Sequence, residues 1–451
     1  MIKVYLDWNV FVQLKNEQHK ELKDILYNNE KFIIPFSTSH IGDIFSSYNE
    51  EEGITEYIDS DLQFISDLTK NFCLYNNGKT IVSGFYSPKE LFQQKIDDKD
   101  LMQNPFDFIN EACSELGISN PFNLIKNMPL ESIFAQNSAS INLLPGLKDN
   151  LTFGGLVESI IKMQKSLNEE EGYKDLRKIL QSELDINKDK ISNLKDPISL
   201  IETSYKKQNI NQKDFLKEHF ENKTAPNWFN DIINEYINLD MHGYHEDKVT
   251  TKGRKETFKN TTEDALHAAF ASMCNFYVTN DKKSYIKTKQ VYEKLGLNTI
   301  VMKPDEFIEN YNDYIKFDNL VKLNCFFWWL KNGNFTNTLE NNNLWAISYF
   351  PIFLFDFFNK IIILTTDDDE STVALSQYMS NGYIYSIEIK KLVTDICEIL
   401  GEDIDGLGEV QEKEFEIEEW IGRKWKSENT SFKLIRLNRI FQLYIEPLFE
   451  K

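Results

Sequence analysis

The side chains best suited to chemistry are carboxylates placed where strands end. Asp7 directly follows the apolar run Ile2-Lys3-Val4-Tyr5-Leu6, and Asp281 closes Phe276-Tyr277-Val278-Thr279-Asn280-Asp281. Both runs read as short buried strands. In open α/β sheets the crevice at the carboxyl edge is where ligands sit, and two neighbouring parallel strands would bring both aspartates there. A third aspartate, Asp264, lies in Thr261-Thr262-Glu263-Asp264-Ala265-Leu266-His267-Ala268-Ala269, which reads as a helix. Thr261 or Thr262 is expected to cap it, with Glu263 and Asp264 at the positive end of its dipole. Carboxylates crowded without partners repel one another, and a divalent cation relieves this. An oxygen-only ligand set suits Mg²⁺ or Mn²⁺.

Each residue also has a plainer reading. Asp7 could only cap the helix that follows it, and Asp264 could be a helix residue favoured by the dipole alone. The pairing of two strand ends argues for the metal reading. Asn9 and Asn280 adjoin the presumed ligands and can hold a carboxylate or a bound water in place, and Thr279 can do the same or simply end its strand. His267, one turn after Asp264, can orient a carboxylate or contact a phosphate, or be an ordinary hydrogen-bonded helix histidine. Lys282 and Lys283, with Lys287 and Lys289, form one candidate basic patch for substrate. Lys248, Lys252, Arg254 and Lys255 form another. An ordinary solvated face is the alternative for both.

The elements that must position these groups alternate. A strand ending at Asp7 is followed by helices over Val10–Lys15 and Glu17–Tyr27 and a strand over Lys31–Pro35. Ser37 or Ser39 then caps a helix running to about Tyr48, with Asp43 inside it. His40 and Asp43, three apart, share a helix face. After Asp281 come a helix, Lys282–Leu295, and a strand, Asn298–Met302. Such alternation favours a parallel sheet.

The set Leu6-Asp7-Trp8-Asn9, Asp264-Ala265-Leu266-His267-Ala268-Ala269 and Val278-Thr279-Asn280-Asp281 resembles the PIN domain family of metal-dependent nucleases, over about residues 1–48 and 255–308. The resemblance implies an α/β fold with a central parallel sheet flanked by helices. It also implies four acidic ligands, which here are Asp7, Asp43, Asp264 and Asp281. Asp43 takes an early-helix position where the family usually carries glutamate, one methylene longer. These four would be both the metal ligands and the catalytic set, holding one or two Mg²⁺ or Mn²⁺ ions for hydrolysis of RNA phosphodiester bonds. RNA rather than DNA, an endoribonuclease activity and a toxin or phage-defence role with an inhibitory or sensor protein partner all follow from the resemblance. The alternative is a degenerate scaffold of the same fold that binds RNA or a protein without catalysis. The shorter Asp43 and the acidic composition leave room for it.

The 451 residues suggest two or three domains on a size prior of roughly 100–200 residues each. The expected division is a nuclease-like domain at 1–48 plus 249–311, a mainly helical insertion at 49–248, and a separate C-terminal α+β or α domain at 312–451. A net charge of −21 argues against broad non-specific binding to nucleic acid. It does not exclude a nuclease, because bound metals reverse the sign of an acidic site. Five scattered cysteines without a Cys-x-x-Cys pair fit a reducing cytoplasm, not a zinc site or a disulfide framework. Asp7 falls where a signal peptide would be apolar, so no such peptide is expected. Leu344–Thr366 is the most apolar region. Pro351, Asp356, Asn359 and Lys360 break it, so it reads as two buried elements and not a membrane span. His242 and His245, beside Glu246 and Asp247, read as a loop near the active-site mouth. Asp367-Asp368-Asp369-Glu370 reads as a solvated loop. The aromatics at 326–329 read as core or as a contact surface for another protein.

Overall fold

Strand β1 (Ile2–Leu6) is buried along its whole length. It is paired on both sides, in parallel, to β2 (Phe32–Ile33) and to β6 (Phe276–Val278). A parallel strand covered on both faces needs side chains that tolerate burial everywhere, which explains its unbroken apolar run. The computed structural model describes residues 1–27, 30–103, 177–178, 181–182, 184–207, 225–245, 258–340, 343–365, 371–415, 420–427, 430–437 and 440–447. Among these the helices are α1 (Trp8–Lys15), α2 (Lys20–Tyr27), α3 (Thr38–Phe45), α4 (Glu56–Thr69), α5 (Pro88–Gln103), α6 (Pro197–Lys207), α7 (Asn227–Met241), α8 (Phe258–Ala271), α9 (Lys282–Leu295), α10 (Pro304–Asn310), α11 (Asn319–Asn332) and α12 (Ser386–Leu400). The further strands are β3 (Phe36–Ser37), β4 (Phe72–Asn76), β5 (Ile81–Phe85), β7 (Ile300–Met302), β8 (Thr336–Glu340), β9 (Asn343–Leu354), β10 (Phe358–Thr365), β11 (Ser371–Ser376), β12 (Arg423–Ser427), β13 (Thr430–Leu437) and β14 (Ile440–Pro447).

The chain divides into two compact units. One comprises 1–36, 67–74 and 268–451, the other 37–66 and 75–267. The first holds a parallel sheet of order β2-β1-β6-β7. From β1 the chain proceeds to β2 on one side, and from β6 to β7 on the other. The strand order therefore reverses between β1 and β6, the kind of switch point where open α/β sheets leave a crevice.

The same unit holds a seven-stranded antiparallel sheet of order β12-β13-β14-β11-β10-β9-β8. Leu344–Thr366 forms most of β9 and β10, two strands joined by a turn at Phe355 and Asp356, both at positive φ. No helix among the described residues is long and apolar enough to cross a membrane. The runs around Trp425 and Phe432-Leu437, undecided between strand and helix in the sequence, are strands β12 and β13. Helices α11 and α12 contribute Phe326, Leu392 and Ile396 to a core shared with Phe350, Ile361 and Trp425. Phe326 is fully buried, whereas Trp328 is 60% exposed, so the aromatic run splits between core and surface.

Two buried ionic clusters lie within this unit. Lys3 on β1 reaches Glu388 on α12, Nζ to Oε1 at 2.9 Å. Lys322 on α11 pairs with Asp356, whose other oxygen accepts from Lys31 at 3.3 Å. Desolvation pushes the Lys322 ammonium down to about 8, against a partial restoring pull from Asp356. In the unfolded chain a lysine titrates near ~10.4. Between these values the unfolded chain keeps a proton that the folded chain has shed, so stability rises with pH across that window by up to about 1.4 kcal/mol per pH unit on account of this group. Lys322→Met is expected to remove that rise. Urea midpoints of both proteins at pH 7.5 and 9.5 check it, and parallel pH profiles would refute it.

In the second unit, Ser37 caps α3 as expected. Its hydroxyl accepts from the Ser39 N–H at 3.2 Å, and the His40 ring accepts from the Ser37 N–H at 2.9 Å. The helix ends at Phe45, shorter than read. His242 is buried at the end of α7, its Nδ1 donating to the Asn238 carbonyl at 2.7 Å and its Nε2 3.1 Å from the Tyr205 hydroxyl. Burial lowers its pKa. It is a packed helix-end histidine and not part of an open loop. Lys248, Lys252, Arg254 and Lys255, the Asp367–Glu370 run and the helices expected within 104–176 and 208–224 lie outside the described residues.

Candidate functional site

The register of the parallel sheet sets the first group of residues. Leu6 stands opposite Val278, so Asp7 is level with Thr279, each one residue past its strand. The Asp7 N–H still donates to the Val278 carbonyl at 2.9 Å, and the Thr279 N–H to Met302 at 3.0 Å. The strands thus run on far enough to place both side chains rigidly at the switch point.

Asp7 occupies the position before α1, but its side chain makes no capping bond to that helix. Its Oδ2 instead accepts from the Thr279 hydroxyl at 2.5 Å and from Asn9 Nδ2 at 2.5 Å. Asp7 is 5% exposed and Thr279 fully buried. Two short bonds to one oxygen of a buried carboxylate favour its charged form and fix its rotamer. The plain helix-cap reading of Asp7 therefore fails on geometry.

Asn9 and Asn280 tie the loops together. Asn9 Oδ1 accepts from the Asn280 N–H at 3.0 Å, and Asn280 Nδ2 donates to Gln13 at 3.1 Å. Thr279 is the node of this network, because its hydroxyl oxygen also accepts the Asp281 N–H at 3.1 Å. Asp281 itself caps α9. Its Oδ1 accepts from the backbone N–H groups of Lys283 and Ser284, each at 2.8 Å. For Asp281 the plain reading is present in full, and it leaves Oδ2 as the oxygen not engaged in that cap. Lys282 and Lys289 are exposed and Lys283 is half-buried, but Lys287 is buried at 1% exposure. The expected four-lysine patch loses Lys287, since the helix turns that residue inward.

A second group lies in the other unit, on α3 and α8. Asp43 Oδ2 is 2.7 Å from His267 Nε2, and the His267 ring packs edge-on to His40 with centroids 4.6 Å apart. His267 is 1% exposed, so its role as the orienter of a carboxylate has a direct structural counterpart. Glu263, one turn earlier on α8, accepts from the Ser39 hydroxyl at 3.1 Å. Burial, and then the charge of Asp43, push the Glu263 carboxyl above its ordinary value. A Cβ at Gly42 would stand 2.7 Å from a Glu263 carboxylate oxygen, so the bare glycine makes room for that group.

Two expectations fail here. α8 extends back at least to Phe258, so neither Thr261 nor Thr262 caps it and the helix has no acid in its first described turn. Asp264 sits mid-helix and half-buried, and its placement owes nothing to the dipole. The other concerns Glu263. The sequence reading assigned it only to that dipole, whereas the structure gives it a buried partner. Glycine at 42, one residue before an acid on a helix, was the available signal, since glycine costs ~1 kcal/mol in a helix interior and calls for a packing reason.

Among the described residues, no three or more His, Cys, Asp or Glu side chains gather as a metal would require. The Asp7–Asp281 pair still offers oxygen donors only. That suits Mg²⁺, which commonly takes one or two carboxylates and completes its shell with water. Comparison with family models, curated proteins and solved structures finds no match for this chain.

Proposed function

We propose that this chain is a metal-dependent nuclease that hydrolyses RNA, with Asp7 as its central carboxylate and Asp281 as the second ligand from the same sheet edge. The observation that carries the reading is the Asp7 side chain. It declines the helix cap available to it and is held by Thr279 and Asn9 at the switch point of a parallel sheet. Asp43 and Asp264 enter through the resemblance to PIN domains, and substituting them tests that part separately. A bound Mg²⁺ or Mn²⁺ would supply Lewis acidity for attack of water on a phosphodiester.

The protein's own residues do the positioning. Thr279 donates to Asp7 and accepts from the Asp281 backbone, so one hydroxyl keeps both acids in register. Lys282, exposed next to Asp281, is placed to meet a phosphate. Thr279→Val keeps the shape of the side chain and removes the hydroxyl. It is expected to lower Mn²⁺ affinity or cleavage by roughly 10–100-fold, the usual effect of losing a group that orients a metal ligand. Unchanged turnover of a labelled RNA would count against the role assigned to Thr279.

The rival reading is a non-catalytic scaffold binding RNA or protein. It is favoured by the full helix cap at Asp281 and by the lack of a three-acid cluster among the described residues. Calorimetric titration with Mn²⁺ separates the two. Binding that disappears in Asp281→Ala supports the nuclease, and no binding, or binding indifferent to that change, supports the scaffold.

A further inference from the structure

A cavity of about 430 Å³ lies in the first unit, away from Asp7 and Asp281 in the chain. Its walls come from the start of α11 (Asp318, Asn319), the turn between β9 and β10 (Asp356), α12 (Asp395, Glu398) and Glu30 before β2. These elements meet because α11 and α12 share the core described above.

Two buried acceptors in this wall are unmet. The Asp395 side chain is 1% exposed, and its Oδ1 is taken by Lys391 one turn earlier. Its Oδ2 has no hydrogen-bond partner, and neither has the buried Oδ1 of Asn319. An unsatisfied buried acceptor costs about 1–3 kcal/mol, more when charged. Two lining one cavity ask for the same complement, a donor. The cavity's charge says which kind. Its five carboxylates face only the ammonium groups of Lys31 and Lys391. Asp356 is already engaged by Lys31 and Lys322, so the uncommitted charge rests with Asp395, Glu398, Asp318 and Glu30.

A lone hard cation does not answer this arrangement. Mg²⁺ or Ca²⁺ needs oxygens converging at roughly 2.0–2.6 Å, and no such convergence occurs among the described residues. The space also far exceeds the ~30 Å³ share of one water. Dispersed acceptors around an elongated space suit an elongated cation. A primary ammonium brings three N–H donors.

We propose that this cavity binds a linear polyamine, one ammonium end donating to Asp395 Oδ2 and Asn319 Oδ1 and the remaining charge lying toward Glu398, Asp318 and Glu30 at the rim. The site is independent of the nuclease reading and stands or falls without it.

Isothermal titration of the full chain with spermidine, at about 0.15 M salt to screen diffuse attraction, tests the proposal. Saturable one-to-one binding is expected. Asp395→Asn and Glu398→Gln should each weaken it by about 10-fold, the loss of one charge-assisted contact. Glu398 is exposed, so its variant reports on binding even if Asp395→Asn proves unstable. Glu51→Gln/Glu52→Gln, at an exposed acidic stretch of the other unit, should bind as the parent does. Absence of saturable binding overturns the proposal. Equal binding by all variants also overturns it, since that would be diffuse attraction to an acidic chain with Asp395 merely a protonated buried acid. Displacement of spermidine by stoichiometric Mg²⁺ overturns it as well, because the site would then be a metal site.

Discussion

Asp7→Asn is expected to reduce metal-dependent RNA cleavage by roughly 10²–10³-fold or more, on the scale of removing one preorganised electrostatic group from an active site. The substitution keeps the size of the side chain and an oxygen that can accept from Thr279, so the sheet edge should stay folded. It removes the negative charge that a divalent cation needs. The reading is most exposed here, because Asp7 already has strong hydrogen-bond partners. Were those partners its whole purpose, the asparagine variant would lose some stability and nothing else. Cleavage of a labelled RNA with added Mn²⁺, beside a melting curve, tells the outcomes apart. Wild-type turnover by Asp7→Asn, or turnover by the parent chain in excess chelator, would end the proposal.

The largest expected effect on stability belongs to Lys3. Its ammonium is buried on β1, 2.9 Å from Glu388, over the ring of Tyr385 and 3.5 Å from Gln377 Oε1. Both members of the pair are at most 1% exposed. Removing one partner of a buried pair strands the other charge and costs about 3–5 kcal/mol, more than the pair contributes in net terms. Lys3→Met and Glu388→Gln should each show a loss of that size in urea unfolding. The double variant should lose much less than the sum of the two, since glutamine can still accept the Tyr385 N–H that Glu388 holds at 2.9 Å. Single variants within 1 kcal/mol of the parent would mean that the pair is hydrated or loosely held. Because Lys3 lies on the strand that delivers Asp7, the same variants show whether the parallel sheet depends on α12 for its own stability.

Much of the candidate site was legible in local sequence, for a definite reason. A strand buried on both faces cannot carry polar residues in its middle, so Ile2–Leu6 and Phe276–Val278 announce themselves, and the polar residues that follow mark the sheet edge. The alternation of strands and helices indicated that the strands run parallel, and β1 and β6 are neighbours in that sense. Ser37 capped α3 as its side chain predicts. Pro351, Asp356 and Lys360 were enough to read Leu344–Thr366 as two elements, because a continuous apolar helix tolerates none of them well.

Other features were settled only by tertiary contact. A threonine is a weak stop signal when nothing forbids the helix from continuing, so α8 runs back to Phe258 and Asp264 falls in its middle. Lys287 is buried and Lys282 exposed because the rotation of α9 about its axis is set by what it packs on. The seven-stranded sheet joins β11 to β14, pairing Val373 with Ile445 across a separation that no local pattern encodes. Local residues thus determined which segments form strands and where their acids sit. The fold alone decided which donors hold those acids, since Asp7 and Thr279 lie 272 positions apart and meet only when β1 and β6 pair.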